Sequence, residues 1–363
     1  MKPFKPDILP LESLNWRPFI RLIGQANAEL ARYDGIIQGI VNPEILLSPL
    51  TTQEAVLSSR IEGTRTTLAE VLEFEASKGN GSKNVDDIQE VINYRRAMEV
   101  AVEEMETRPI SLNLLRRTHE VLLLGVRGQS SAPGEFRRIQ NWIGKPGSTI
   151  ETATYVPPDP SQIMPCLSNL EHYIHFDEED RLVQLAIIHA QFEIIHPFLD
   201  GNGRLGRILI PLFLYEKKLL SRPLFYLSEY LESHRYDYCD HLLAITDGGD
   251  WDGWIRFFLN SIYEQARKNA TRAQAILKLY DRMKSEITNY TRSPYAIQIL
   301  DALFNRLIFS STDFIERSGI PKRSGIRVLE RMSQGNVIKP LQESRGRYAA
   351  VFEFTDLLSI VED

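Results

Sequence analysis

Cysteine is scarce in this sequence: its 363 residues include two, Cys166 and Cys239. Two cysteines cannot form the set of disulfides that stabilises small secreted domains, so we expect a reducing, cytoplasmic location. A long uninterrupted apolar run is also missing. The most apolar stretch, LAIIHAQFEII, is interrupted by His189, Gln191 and Glu193, which argues against a membrane-spanning helix and against a membrane partner.

An excess of positive charge is absent as well. The chain has 42 Lys and Arg against 48 Asp and Glu, a net charge of −6, so a nucleic-acid partner would require a local basic patch. The N-terminal segment MKPFKPDILPLESLNWRPF carries acids and prolines where a signal peptide requires an apolar run. The remaining composition, 43% hydrophobic and 25% charged, is that of a globular protein, and the length suggests two or three domains.

Helical periodicity dominates the chain. Apolar residues recur at three- and four-residue spacing, and two pairs, Thr51 with Glu54 and Thr67 with Glu70, have the spacing of a capping box at a helix start. We predict further helices near 86–106, 111–124, 161–176, 180–195, 203–217, 228–246 and 251–269. One segment departs from this pattern: residues 141–158, NWIGKPGSTIETATYVPP, place β-branched residues between Gly and Pro, which predicts a short β-hairpin.

The character of the sequence changes near residue 270. Three short helical segments precede a two-stranded ribbon with a basic tip, an order typical of a winged helix-turn-helix. We therefore expect a mainly α protein in three parts: an N-terminal helical region (1–90), a helical core that carries the short hairpin (91–270), and a winged-helix-like domain (271–363).

The stretch HPFLDGNGRLGR, residues 196–207, combines residue types that suggest chemistry. His196 must lie at a helix end, because the residue before a proline avoids the helical region. The DGNG letters that follow tolerate left-handed backbone, and successive amides leading into a new helix form an anion-binding nest. Arg204 and Arg207 share one face near the positive end of that helix, so a bound polyanion such as a di- or triphosphate would relieve their repulsion.

Two side chains complete this hypothesis. Asp200 inside an anion nest is explained if it holds a cation that bridges phosphates, for which Mg²⁺ is the usual choice. His196 beside bound phosphate, with an expected pKa near neutrality, would be placed to take a proton from an attacking hydroxyl.

The order His-x-Phe-x-Asp-Gly-Asn-Gly-Arg-x-x-Arg resembles the signature of Fic-domain proteins at every defining position. The resemblance implies that AMP is transferred from ATP to a Ser, Thr or Tyr hydroxyl of a target protein, with release of pyrophosphate. It implies roles for His196 as general base, Asp200 as Mg²⁺ ligand, Gly201, Asn202 and Gly203 as the anion hole, Arg204 and Arg207 as ligands of the β- and γ-phosphates, and Phe198 as a core anchor. Phosphoryl-transferring relatives replace the second glycine by lysine and lack the last arginine, so Gly203 and Arg207 favour AMP transfer.

The resemblance covers roughly residues 90–265. The PGEFRR segment, 133–138, and the predicted hairpin fall where the family has its lead-in and its flap, and the flap pairs with an extended segment of the target by strand addition. Tyr230 or Tyr236 is expected to border the nucleobase pocket. Self-modification and a homodimer are further expectations from the family.

A second short motif, SSRIEGT, contains Ser58 and Glu62 four residues apart on one helix face. On the bare sequence Glu62 is a solvated acid before a glycine that ends the helix. The resemblance favours a different interpretation, because Ser58-x-x-x-Glu62-Gly63 is similar to the Fic inhibitory motif in its N-terminal position. Glu62 would then pair with Arg207 and prevent ATP from binding productively.

Other interpretations remain at this stage. His189, Glu193 and His196 share one flank of a helix, but their spacing is not that of a zinc site, and His189 is more simply a buried helix residue. A nucleotide-sensing DNA-binding regulator is the alternative from another functional class, and it rests on the basic residues Lys322, Arg323, Arg327, Arg345 and Arg347. Transfer of another group, or removal of AMP with Glu62 positioning water, is the enzymatic alternative.

Overall fold

The computed structural model of the chain describes residues 2–12, 14–77, 84–126, 131–145, 147–291, 294–344 and 349–362. In chain order the helices are α1 (Ile20–Gln38), α2 (Pro43–Leu46), α3 (Ser48–Ile61), α4 (Leu68–Ala76), α5 (Val85–Met105), α6 (Leu112–Leu122), α7 (Ile163–His175), α8 (Arg181–Ile195), α9 (Asn202–Glu216), α10 (Ser228–Ser233), α11 (Arg235–Gly248), α12 (Trp251–Thr291), α13 (Ala296–Asn305), α14 (Ser311–Ser318), α15 (Lys322–Gln334) and α16 (Thr355–Glu362). The strands are β1 (Ile308–Ser310), β2 (Lys339–Gln342) and β3 (Val351–Glu353). The predicted mainly helical fold is confirmed, with a small antiparallel sheet near the C-terminus.

Two predicted helices differ from the structure. The helix expected over 228–246 is two helices, because the backbone at His234 leaves the helical region (φ −114°, ψ 34°). Helix α12 continues to Thr291, since buried apolar residues such as Ile276 and Met283 maintain helical spacing past residue 269. No helix in the described ranges combines the length and the apolar character needed to cross a membrane.

The two predicted capping boxes have different outcomes. Thr67 accepts from the Glu70 amide and the Glu70 carboxylate accepts from the Thr67 amide, so this box starts α4 as predicted. The prediction for Thr51 is wrong, because α3 already begins at Ser48.

The chain forms two compact units. The first comprises residues 1–34, 57–63 and 93–267, and the second comprises residues 35–56, 64–92 and 268–363. The three-part division by sequence remains a prediction.

Helix α8 is the centre of the first unit. Asp180 caps it by accepting from the amides of Leu182 and Val183, and its apolar run is buried on all sides. Most buried polar side chains are hydrogen-bonded within the protein. His189, as expected, is buried and lies between the Gly206 carbonyl (3.1 Å) and the Tyr238 hydroxyl (2.9 Å).

The second unit contains the sheet, in the order β1-β3-β2 with both pairs antiparallel. Ile308 pairs with Glu353 on one side of β3, and Lys339 pairs with Glu353 on the other. The basic residues Lys322, Arg323 and Arg327 are exposed on α15. Arg345 and Arg347, in the predicted ribbon tip, lie outside the described residues, and the winged-helix assignment remains a prediction.

The segment 141–158 is less regular than the predicted hairpin. Among its described residues, one antiparallel bridge joins the two arms, between Ile143 and Tyr155. Gly144 lies so close to Ser148 that a Cβ there would be 2.4 Å from the Ser148 hydroxyl. The prolines at 157 and 158 lack an amide hydrogen, so these two residues cannot donate backbone hydrogen bonds to a longer ladder.

Candidate functional site

The candidate site is the loop between α8 and α9, all of it in the first unit. His196 ends α8 with left-handed backbone (φ 48°, ψ 60°). The buried Arg137 holds this turn: its Nε donates to the His196 carbonyl (2.9 Å) and its Nη2 to the Pro158 carbonyl (2.6 Å). One side chain therefore ties the end of α8 to the end of segment 141–158, and burial lowers its pKa to about 10, which leaves it charged at neutral pH.

The hydrogen bonds of His196 define its chemistry. Its Nδ1 lies 3.3 Å from the Glu193 carbonyl oxygen, which can only accept, so Nδ1 carries the proton and Nε2 presents a lone pair. Burial lowers the pKa of His196 to about 4, against a smaller raising effect of the Glu193 carbonyl. This shift moves the pKa away from the expected value near neutrality. Among the described residues Nε2 has no hydrogen-bond partner, and a neutral imidazole with an available Nε2 is the form that a base requires.

The loop is closed by Asn202, the first residue of α9. Its Oδ1 accepts from the Phe198 amide (2.8 Å) and its Nδ2 donates to the Phe198 carbonyl (2.9 Å). Phe198 is completely buried, so it anchors the loop in the core as predicted. The buried side-chain amide of Asn202 is hydrogen-bonded to the loop itself, and its part in the anion hole remains a prediction.

The anion nest is predicted at the N-terminus of α9. Gly201 has left-handed backbone (φ 76°) and precedes the first helical turn, whose amides have no partner within the helix. The Asp200 carboxylate accepts from the Gly201 amide at 2.6 Å and lies 3.8 Å from Nη2 of the buried Arg204. The helix end and Arg204 together make the loop electropositive, and Asp200 is its negative group.

The structure brings Ser58, Glu62 and Arg207 together. Arg207 is 2% exposed; its Nε donates to the Ser58 hydroxyl (2.8 Å), and its Nη2 donates to the Ser58 carbonyl (2.9 Å) and to Glu62 Oε1 (2.6 Å). Burial raises the pKa of the Glu62 carboxyl, but the charge and hydrogen bond of Arg207 outweigh it and hold that pKa below its usual value. Gly63 turns the chain with left-handed backbone (φ 102°) directly after Glu62.

Two glycines of α9 make space for two carboxylates. A Cβ on Gly203 would lie 2.2 Å from Glu62 Oε1, and a Cβ on Gly206 would lie 2.3 Å from Glu193 Oε1. Oε1 of Glu193 is buried without a hydrogen-bond partner in the described part of the chain. Burial raises the pKa of Glu193 to about 8, which the charge of Arg207 only partly opposes, so Glu193 is predominantly protonated at neutral pH.

A cavity of about 500 Å³ opens beside this site. Its lining includes Glu193 from α8, Ile143 and Tyr155 from the 141–158 segment, and Tyr236 from α11. Tyr236 therefore borders a cavity large enough for a nucleoside. Tyr230 is not among the lining residues and instead stacks on His234, with ring centroids 4.1 Å apart.

Three contributors to the site were not identified from the sequence. Arg137 lies within the PGEFRR segment, which gives no separate signal for this residue. The spacing of Glu193 relates it only to the zinc site that the sequence argues against. The third is the buried His119 of α6, and no motif in the neighbouring sequence indicates a role for it. Its ring stacks on Phe198 with ring centroids 3.7 Å apart, and burial lowers its pKa to about 4. Among the described residues no group of three His, Cys, Asp or Glu could hold a metal ion.

Comparison with known proteins agrees with this geometry. The sequence model described as Fic/DOC family matches residues 109–214, which include the whole loop and both arginines. A second, described as Fic/DOC family N-terminal, matches residues 20–103. The chain belongs to the Fic/DOC family.

The curated relatives of this Fic/DOC chain are distant. Protein adenylyltransferase Fic of Drosophila grimshawi is 27% identical over 202 residues, 54% of this chain and 38% of that protein. A probable protein adenylyltransferase of Aquifex aeolicus (strain VF5) is 30% identical over 185 residues, 49% of this chain and 52% of that protein. The matched region thus spans between about a third and a half of these relatives.

Solved structures share the Fic fold. A crystal structure of a Fic family protein from Desulfovibrio desulfuricans G20 covers 98% of both chains with a TM-score of 0.60 at 20% identity. A Fic domain containing signaling protein from Bacteroides thetaiotaomicron covers 71% of this chain and 97% of its own, with a TM-score of 0.56 at 17% identity. At these identities the likeness establishes the fold alone.

Proposed function

We propose that the chain is a protein adenylyltransferase, which transfers AMP from ATP to a Ser, Thr or Tyr hydroxyl of a target protein or of itself. The observation that carries this proposal is the neutral His196 with its Nε2 lone pair, placed one loop away from an electropositive helix N-terminus that has two buried arginines. The site thus combines a base that can deprotonate a hydroxyl with a binding site for phosphates. The two curated relatives are named as a protein adenylyltransferase and a probable one, which supports the same reaction.

In the proposed step, Nε2 of His196 takes the proton of the target hydroxyl. The hydroxyl oxygen forms a bond to the α-phosphorus, the bond from that phosphorus to the bridging oxygen breaks, and pyrophosphate leaves with the bonding electrons. The Nδ1–H bond to the Glu193 carbonyl keeps the ring in the required tautomer and stabilises the imidazolium that forms. Negative charge that develops on the leaving group falls to Arg204, Arg207 and the amides at the start of α9.

Magnesium fits this site as a companion of the nucleotide. Mg²⁺ in nucleotide sites is held by one or two carboxylates and by substrate phosphates. Asp200 offers one such carboxylate at the lip of the nest, where 43% of its side chain is exposed, and such a site needs no cluster of three ligands. When bound, the ion would neutralise phosphate charge.

The contact of Glu62 with Arg207 supports autoinhibition as part of the proposal. A ligand of the γ-phosphate cannot serve while its guanidinium is bound to Ser58 and Glu62. The carboxylate also lies against Gly203, within the proposed anion hole. We therefore infer that Glu62 must move before the triphosphate adopts its productive position.

The target is proposed to dock on segment 141–158 by strand addition. Among the described residues of this segment one bridge joins the two arms, and Trp142 and Ile143 are 44% and 40% exposed. In this proposal residues 1–90 contain the inhibitory motif, residues 91–270 form the catalytic core, and residues 271–363 form a winged-helix-like domain. The homodimer stays a prediction from the family.

A radiolabel experiment tests the proposed reaction. Glu62→Gly protein is incubated with Mg²⁺ and ATP labelled in either the α- or the γ-phosphate, with unmutated protein as control. Label retained from the α-position alone is the expected result. Label from the γ-position alone would replace the proposal with a kinase. Absence of both, with target candidates present, would favour the nucleotide-sensing regulator, for which the exposed Lys322, Arg323 and Arg327 provide basic side chains.

A further inference from the structure

His119 makes two hydrogen bonds that fit a single protonation state. Its Nδ1 lies 2.9 Å from the Gly134 amide nitrogen, which can only donate, so Nδ1 bears no proton. Its Nε2 lies 2.8 Å from the Asp200 carbonyl oxygen, which can only accept, so Nε2 bears one. The ring is completely buried and stacked on Phe198. One neutral tautomer thus satisfies both neighbours.

The bond to Asp200 acts on more than a carbonyl. The carbonyl of Asp200 and the amide of Gly201 belong to one planar peptide unit, in which the C=O and N–H of a trans bond point in opposite directions. The Gly201 amide donates to the Asp200 carboxylate at 2.6 Å. Holding the carbonyl on one side therefore aims the N–H, and with it the carboxylate, on the other.

Helix α6 packs closely against this peptide. A Cβ on Gly201 would lie 3.4 Å from His119 Nε2 and 3.3 Å from Leu123 Cδ2, so α6 is in close contact with the loop. Phe198, against which the ring stacks, is held at its own backbone by Asn202. The loop is thus held by hydrogen bonds at both Phe198 and Asp200, and His119 makes the one at Asp200.

We propose that His119 is a positioning residue of the nucleotide site, which orients the Asp200 carboxylate toward Mg²⁺ through the Asp200–Gly201 peptide. The inference rests on the proposed function for the identity of the bound group, but the tautomer and the loop geometry are independent of it. His119 also joins the loop to Gly134 of the PGEFRR segment, so two segments of the site share one imidazole.

Two substitutions separate the two hydrogen bonds. His119→Gln keeps a donor at the place of Nε2, and His119→Asn keeps an acceptor at the place of Nδ1 but has no donor that reaches Asp200. Both are made in the Glu62→Gly background, and ATP binding is measured by calorimetry as a function of Mg²⁺ concentration. We expect His119→Asn to raise the Mg²⁺ concentration for half-maximal ATP binding roughly tenfold, which is the size of effect seen when a metal ligand loses its hydrogen-bond partner. His119→Gln, which keeps the donor, should raise it much less.

The outcomes distinguish positioning from packing. If the melting temperature falls by the same amount in both variants and both show the same Mg²⁺ requirement, His119 contributes only to core packing and the proposal is overturned. If the Mg²⁺ requirement shifts as expected but no AMP is transferred by any variant, the proposed function fails and the role of His119 stands.

A measurement on the unmutated chain covers the case in which a variant does not fold. ¹⁵N NMR of ring-labelled histidine, assigned by the resonance missing in His119→Gln or, where that fails to fold, in His119→Phe, reports the tautomer. A proton on Nε2 and none on Nδ1 is expected at pH 7. A proton on Nδ1 would remove the bond to the Asp200 carbonyl and overturn the proposal.

Discussion

Glu62 and Arg207, 145 residues apart in the chain, form an ion pair of 2.6 Å in which the arginine side chain is 1% exposed and the glutamate side chain 38%. The arginine is thus fixed in the interior, and the glutamate is the partner that solvent reaches. Any molecule that breaks this ion pair would therefore move Glu62, because Arg207 is also held by two hydrogen bonds to Ser58.

Removing the charge of Glu62 while keeping its shape tests the inhibitory contact. Glu62→Gln leaves Arg207 with a weaker acceptor, so we expect ATP to bind about tenfold tighter or more, which corresponds to about 1.4 kcal/mol. Without nucleotide the variant should be less stable by about 1–3 kcal/mol, because a buried cation loses its counter-charge. Calorimetric binding and chemical denaturation measure these two quantities. Equal ATP affinity in both proteins would contradict the inhibitory role.

Ser58 and its neighbour offer a matched pair of substitutions. Ser58→Ala removes the acceptor of the Arg207 Nε hydrogen bond, and we expect a weaker hold on Arg207, with ATP affinity raised roughly threefold to tenfold, as about 1 kcal/mol implies. Ser59→Ala is the control, since the Ser59 hydroxyl is equally buried and has no hydrogen-bond partner in the described part of the chain. Identical affinities for the two variants would show that the Ser58 hydroxyl does not secure Arg207.

The pH dependence of transfer follows from His196. Burial holds its pKa at about 4, so the imidazole stays neutral, and able to accept a proton, throughout the range from pH 8 to pH 6. At saturating Mg²⁺ and ATP, the transfer rate of Glu62→Gly protein should therefore not fall between pH 8 and pH 6 on account of this group. It should decrease only as the pH approaches 4–5 and the ring is protonated. A loss of half the rate near pH 6.5, the pKa of an ordinary histidine, would contradict the assigned environment.

The raised pKa of Glu193 should make the chain less stable as the pH rises, whereas an acid in an ion pair makes a protein more stable as the pH rises. Its pKa is raised to about 8 in the folded chain from an ordinary value of about 4.3, so between these values the folded state binds more protons than the unfolded state. The free energy of unfolding then falls with rising pH, by up to about 1.4 kcal/mol per pH unit from this group.

Glu193→Gln removes that dependence. Its stability relative to the unmutated chain should increase from pH 5 to pH 8, as measured by denaturant unfolding at each pH. Glu179→Gln, the same substitution at an exposed glutamate on the surface, is the control. A constant difference between Glu193→Gln and the unmutated chain at all pH values would show that Glu193 is ionised in the folded state at neutral pH.

Local sequence patterns were enough to predict the secondary structure around His196. The continuous apolar spacing of α8, the stop at Pro197 and the glycines after Asp200 were sufficient to place a helix, a loop and a second helix around His196. The break at His234 was not predictable in this way, because a single residue leaves the helical region while the apolar spacing continues.

Long-range contacts account for what could not. His119 and Asp200 are 81 residues apart, and Ser58 and Arg207 are 149 apart, so spacing holds no information about either contact. The partner of Arg207 was expected only through the resemblance to Fic proteins. The pKa of His196 depends on burial by several elements at once, which no local pattern reports.

Intact-mass spectrometry after incubation with Mg²⁺ and ATP tests the roles of His196 and Glu62 in AMP transfer together. Four proteins are compared: the unmutated chain, Glu62→Gly, His196→Ala and the double variant. We expect Glu62→Gly alone to gain the mass of one or more adenylyl groups. An equal gain by the double variant would contradict the assignment of His196 as the base, and an equal gain by the unmutated chain would contradict inhibition by Glu62.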